Sequence, residues 1–108
     1  MPKFTILGSV PAERIPAIVP PEYRDRVRLA AHPGKEYTVV LFGRDREDVV
    51  TSGPVRRALA KIPAAENVLA IGAGFTVEAV ELLARRHAGI VRLGEFHWTD
   101  ESYKSLPR

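Results

Sequence analysis

The second half of this chain alternates short apolar runs with amphipathic stretches, and that alternation restricts the fold more than any other feature. Val68-Leu69-Ala70-Ile71 is apolar throughout and ends at Gly72-Ala73-Gly74, which reads as a buried strand turning into a helix. The helix begins near Thr76. Ala79, Val80, Leu82 and Leu83 form its buried face, while Glu78, Glu81, Arg85 and Arg86 face water, with acids early and bases late as the helix dipole prefers. Gly89 ends the connection, and Ile90-Val91-Arg92-Leu93 is the next strand. Upstream, Ser52 or Gly53 caps a helix that has Pro54 at its start. Val55, Leu59 and Ile62 give it one apolar stripe, and Pro63 closes it. This order of elements implies parallel strands joined by right-handed crossovers.

The first half is less regular. Residues 4–7 read as a short strand ended by Gly8-Ser9, and the prolines at 11, 16, 20 and 21 forbid one long helix beyond it. A short turn fits 12–18, and Pro21-Glu22-Tyr23 can open a helix. From Arg26 the residues alternate, with Arg26, Arg28 and Ala30 against Val27, Leu29 and Ala31, the period of a half-buried strand. His32-Pro33-Gly34-Lys35 is a turn signal, and residues 37–42 are apolar on both faces. The two runs therefore read as a hairpin, 26–31 against 37–42, whose second strand is central. Thr99 is expected to cap a last short helix over 100–106. The expectation is a single α/β domain over 1–108 with a mixed sheet, an N-terminal hairpin and a β-α-β-α-β second half. A flavodoxin-like parallel sheet is the alternative, and a helix across 22–31 would favour it.

Composition narrows the function classes. With 108 residues, 45% of them apolar and 27% charged, the chain supports one globular core. It has no cysteine, which removes disulfides, thiolate nucleophiles and thiolate metal sites. There is no 18-residue apolar window and no signal-peptide pattern at the start, so a cytoplasmic protein without membrane contact is expected. The net charge of +3 permits a nucleic-acid face without demanding one. Arginine outnumbers lysine twelve to four, and glutamine is absent. Few thermolabile side chains suit a thermophile, although a GC-rich genome also favours arginine.

Residues 26–96 resemble Mrr-type restriction endonucleases. The resemblance is carried by the hairpin, by Ser52-Gly53-Pro54-Val55-Arg56-Arg57, by the strand at 68–71, by Gly74-Phe75-Thr76, by the helix at 79–84 and by the strand at 90–93. It implies a restriction-endonuclease-like core. It also implies an Asp near the start of one strand and a Glu or Gln, any residue, then Lys on the next, the carboxylates holding magnesium and the Lys steadying charge at the phosphate. Here the equivalent segment is Val40-Leu41-Phe42-Gly43, with neither acid nor lysine. The resemblance thus implies a copy without catalysis.

Five candidate sites follow. Gly72, Gly74, Phe75 and Thr76 lie where a strand enters a helix, a place that attracts phosphates; the simpler account is a tight turn with Thr76 as cap, since Val77 stands where a dinucleotide fingerprint needs glycine. Arg44, Arg56 and Arg57 could face a phosphate backbone, or form a solvated face with Asp45, Glu47 and Asp48. Those three acids make only a weak calcium or magnesium loop. His97 with Asp100, Glu101 and Glu95 is the one histidine–carboxylate cluster. Trp98 and Tyr103 suit an interface, or pack the last helix down. The expected function is a non-catalytic binding module, a degenerate nuclease-like domain contacting nucleic acid or a nucleic-acid enzyme, without cofactor or metal. The alternatives are a homodimeric structural protein and a binder of a small phosphate ligand at residues 72–76.

Overall fold

A computed structural model describes residues 4–42, 49–94 and 98–104, with the backbone alone at 103 and 104. Its centre is a four-stranded sheet of β1 (Phe4–Pro11), β2 (Glu36–Phe42), β4 (Val68–Gly72) and β6 (Gly89–Arg92), in that spatial order. β1 runs antiparallel to β2, while β2, β4 and β6 are mutually parallel. Two short strands, β3 (Val49–Val50) and β5 (Gly74–Phe75), pair in parallel. The sheet is mixed and the class is α/β, as the sequence leads one to expect.

The helices explain how the sheet acquires two cores. α3 (Ser52–Ala60) joins β2 to β4 and α4 (Val77–Arg85) joins β4 to β6. Crossovers of one hand stepping in one direction place both helices on the same face. There Val55, Ala58, Ala79 and Leu83 pack on Val40, Val68, Ala70 and Phe75. The other face must be covered by the connection from β1 to β2. That connection is a 3-10 turn, α1 (Ile15–Ile18), a second 3-10 turn at Pro21–Tyr23 and α2 (Arg24–Ala30). Ile15, Val19, Tyr23 and Val27 pack on Tyr37, Val39, Leu69, Ile71 and Val91. Alternate residues of β2 and β4 thus serve opposite cores, which is why both strands are apolar apart from Glu36 and Thr38.

The expected hairpin between 26–31 and 37–42 is not formed. Residues 24–30 are helical, and the antiparallel partner of β2 is β1, with Phe4 opposite Phe42 and Pro11 opposite Glu36. Six alternating residues fit a helix as well as a strand. Tyr23, Val27 and Ala30 fall at i, i+4 and i+7, and Tyr23 and Val27 are buried. Leu29, which a strand would bury beside Val27, is 86% exposed. The helix is the one the parallel-sheet alternative requires, but it belongs here to a mixed sheet.

The remaining boundaries lie close to those read from the sequence. β1 is longer than 4–7 because its register slips between Ile6 and Gly8, with Gly8 at φ +86°, and pairing then resumes. α3 begins one or two residues earlier than the expected cap at Ser52 or Gly53 implies. Thr51 is its N-cap and makes no side-chain capping bond; Ser52 instead lies within the first turn. α5 spans Asp100–Lys104, and Thr99 caps it by accepting a hydrogen bond from the Ser102 amide at 3.0 Å. α4 ends with His87 in the left-handed region at φ 57°. The His87 amide donates to Ala84 O and the Ala88 amide to Leu83 O, a Schellman closure with histidine where glycine is usual.

Candidate binding site

The carboxyl ends of parallel strands are where α/β sheets most often bind ligands. In this protein that space is filled from within. Residues 71–76 are all buried. A Cβ on Gly72 would lie 3.1 Å from both the Phe75 ring and Val50 Cγ2, so the glycine is required by the ring that covers it. Phe75 meets Phe42 edge to face at 5.9 Å, and Phe42 meets Phe4 at 6.0 Å.

The helix starts beside this plug carry their own anion. The Asp100 carboxylate, delivered by α5, accepts hydrogen bonds from the Ser52 amide (2.9 Å) and the Thr76 hydroxyl (2.5 Å) through Oδ1, and from the Ser52 hydroxyl through Oδ2. Thr76 also caps α4 by accepting from the Ala79 amide. The Asp100 amide in turn donates to Glu78 Oε1 at 3.0 Å. Two helix N-termini, which favour negative charge, thus share one internal carboxylate. Ser52 and Thr76 are buried, and every hydrogen-bonding role described for them is engaged.

The other expected site residues are dispersed. Gly72, Gly74, Phe75 and Thr76 form the buried plug. Arg56 and Arg57 are exposed on α3. Arg44 lies outside the described residues, as do Asp45, Glu47, Asp48, Glu95 and His97. Asp100 is the internal cap, and Glu101 is exposed on α5. Trp98 is half-buried, and its carbonyl accepts the Val77 amide at 2.8 Å; Tyr103 falls on α5. Among the described residues no three His, Cys, Asp or Glu side chains gather to hold a metal ion, and no helix is long and apolar enough to cross a membrane.

A different surface is open. Between α2 and β6 runs a cleft of about 470 Å³, lined by Arg26, Leu29, Ala30 and residues 90–94. On α2 the core side is set by Tyr23 and Val27, so Arg26 and Leu29 fall on the flank that faces β6. The Arg26 Nη2 donates to Leu93 O at 3.2 Å and thereby stands over the end of the strand. Arg24 turns the opposite way, donating through Nε to Pro16 O, while Arg28 pairs with Asp25 at 3.1 Å. Arg26 and Arg28, which a strand would align on one face, are thus separated by the helix. The outer edge of β6 pairs with no strand among the described residues. Sequence reading missed this cleft because it depends on Leu29 being outside; the i, i+4, i+7 spacing from Tyr23 was the signal that could have shown it.

Compared with protein-family models, curated proteins and solved structures, the chain matches none of them.

Proposed function

We propose that this chain is a non-catalytic α/β binding module of the cytoplasm that seats a macromolecular partner in the groove between α2 and β6. The observation that carries the proposal is the coincidence of a highly exposed leucine, a strand edge that pairs with no strand among the described residues and an open cleft. An exposed leucine alone means little. On the rim of a cleft whose α2 side also carries Ala30 and Leu93 it adds to an apolar surface of the kind that marks interaction sites. The absence of a catalytic role is supported by the apolar plug at the carboxyl end of the sheet and by the full engagement of Ser52, Thr76 and Asp100 with one another. The Mrr-type resemblance, with neither acid nor lysine on β2 between Val40 and Phe42, points the same way.

Arg56 and Arg57, exposed side by side on α3, favour a second reading in which the module contacts a phosphate backbone directly. The two are separated by titrating duplex and single-stranded oligonucleotides at two ionic strengths, alongside sedimentation of the protein alone. Binding or self-association lost in Leu29→Asp supports the groove. Steeply salt-dependent binding lost in Arg56→Ala/Arg57→Ala, and untouched by Leu29→Asp, supports the second reading instead.

A further inference from the structure

Several arginines of this chain are tied into the fold. Arg24 donates to Pro16 O, Arg26 to Leu93 O, and Arg86 to the carbonyls of Leu59, Ile62 and Pro63, while Arg28 pairs with Asp25. α3 differs. Its nine residues include no acid, and Arg56 and Arg57, both exposed, form no ion pair among the described residues. Lys61, the C-cap, is exposed too, and its ammonium lies over the Phe4 ring, 5.5 Å from the centroid. At about 100° per residue, Arg56, Ala60, Arg57 and Lys61 fall within one arc of about 140°, opposite the core residues Val55, Ala58 and Ile62. A Cβ on Gly53 would lie 3.5 Å from Arg57 Nη1. The guanidinium is thus laid back over the first turn of the helix, where the dipole gives a cation no support.

Neighbouring acids do not neutralise this face. The chain on either side of α3, 49–51 and 61–68, is described; its one acid, Glu66, accepts from the Thr38 hydroxyl at 2.7 Å. On α4, Glu78 accepts the Asp100 amide, and Glu81 forms no ion pair with α3 among the described residues. Residues 43–48 hold two bases and three acids, a net −1 against the +3 of Arg56, Arg57 and Lys61.

We infer that the outer face of α3 binds the phosphate backbone of a nucleic-acid duplex, with Arg56, Arg57 and Lys61 each contacting a phosphate. The inference rests on the second reading above and adds to it the third contact and the form of the ligand. The three cations span about 7.5 Å of helix axis, and a duplex carries one negative charge per about 1.7 Å, so each has a phosphate within reach. Single-strand sites stack bases on aromatic side chains. α3 carries none, and the ring beside it, Phe4, is half-buried with Lys61 over it and Phe42 at 6.0 Å. A protein interface calls for an apolar anchor at its centre, but Ile18, Leu29 and Val77, the large apolar residues that are exposed, all lie off α3. An anionic membrane suits the face less well, because the apolar side of α3 is buried in the core and has nothing to insert.

The test follows the fluorescence anisotropy of labelled DNA and RNA duplexes, and of the matching single strands, with the full chain between 50 and 200 mM salt. Three phosphate contacts predict a slope of about −2.7, so duplex affinity should fall about 40-fold over that range. Arg56→Ala, Arg57→Ala and Lys61→Ala should each flatten the slope by about 0.9, and the triple variant should abolish binding. Arg57→Lys and Lys61→Arg keep the charge and should keep the slope. Lys35→Ala removes an exposed cation at the other end of the β1–β2 ladder from Phe4 and should leave binding unchanged. Circular dichroism verifies that each variant folds. A preference for one of the two duplexes supports the inference and names the source of the phosphates.

Single strands bound as tightly as duplexes, or a slope unchanged in Lys61→Ala, overturn the inference while the second reading stands. An equal loss in Lys35→Ala overturns it as an effect of net charge alone. Tighter binding of phosphatidylserine vesicles or of polyglutamate through the same three residues overturns it as well. If no oligonucleotide binding depends on Arg56 and Arg57, the second reading fails together with the inference.

Discussion

Replacing Asp100 by alanine tests whether one carboxylate fastens both helix starts. The substitution removes the acceptor for the Ser52 amide and for the Ser52 and Thr76 hydroxyls. Thr76 is completely buried and Ser52 nearly so, so the stranded donors depend on whatever water enters the vacated space. A buried donor left without an acceptor costs about 1–3 kcal/mol. Loss of negative charge at a helix N-terminus adds about 0.3–1 kcal/mol for each of the two helices. Against this stand the recovered desolvation of the carboxylate and the freedom regained by a five-residue helix. The balance is a loss of about 2–4 kcal/mol for Asp100→Ala, with about half of that for Asp100→Asn, which keeps one acceptor oxygen. For a domain of this size the larger loss corresponds to a fall in Tm of about 10–20 °C. Urea unfolding followed by far-ultraviolet circular dichroism measures both, and a double-mutant cycle with Thr76→Val isolates the shared hydrogen bond. An Asp100→Ala protein within about 0.5 kcal/mol of wild type, the range of an ordinary surface change, would refute the reasoning. Strict additivity with Thr76→Val would refute it equally.

Three further outcomes follow from single residues. A Cβ at position 89 would lie 2.8 Å from Leu69 Cδ1, a fully buried side chain, so Gly89→Ala should lower stability by about 1–3 kcal/mol through overpacking; an unchanged urea midpoint would contradict this. His87 holds a left-handed backbone that glycine adopts without strain, so His87→Gly should raise stability by about 0.5 kcal/mol after the entropic cost of glycine is subtracted. Destabilisation by that change would show that the imidazole makes a compensating contact. The Gly34 amide donates to Glu13 at 2.8 Å and, with Glu13's own backbone amide, holds that carboxyl below its ordinary range. Its folded pKa is depressed, so its contribution to stability is present above the unfolded pKa and is lost as the pH falls through the folded one. Glu13→Gln should therefore narrow the difference in urea midpoint between neutral and acid pH, and an identical acid-side decline in both proteins would refute the assignment.

Much of the architecture is legible in the residues because strands buried on both faces must be apolar throughout. Residues 68–71 announce themselves in that way, residues 37–42 do so with Thr38 as the polar exception, and residues 90–93, interrupted by Arg92, mark a partly buried edge; Pro54, Thr76 and Gly89 punctuate the helices between them. The stretch from 24 to 30 is not legible by alternation alone. Over six residues a period of two and a period of 3.6 share most of their positions, and the arbiter is Tyr23, which lies before the alternating run. The anchoring role of Asp100 is harder still to foresee. Its partners Ser52 and Thr76 are 48 and 24 residues away, and nothing local distinguishes it from another acid in a first helical turn. The groove suffers from the same dependence, since Leu29 becomes a surface residue only once α2 is recognised as a helix.

The order of synthesis gives the Asp100 contact a temporal meaning. Asp100 leaves the ribosome after the whole four-stranded sheet and both of the helices whose starts it fastens. Until it emerges, Ser52 and Thr76 face an empty notch, so a growing chain can gather its apolar layers early yet reach its final rigidity only when α5 closes the gap. A translation product stopped short of residue 100 would carry every strand of the sheet and still lack its last stitch, and it would be exposed to proteolysis at the starts of α3 and α4.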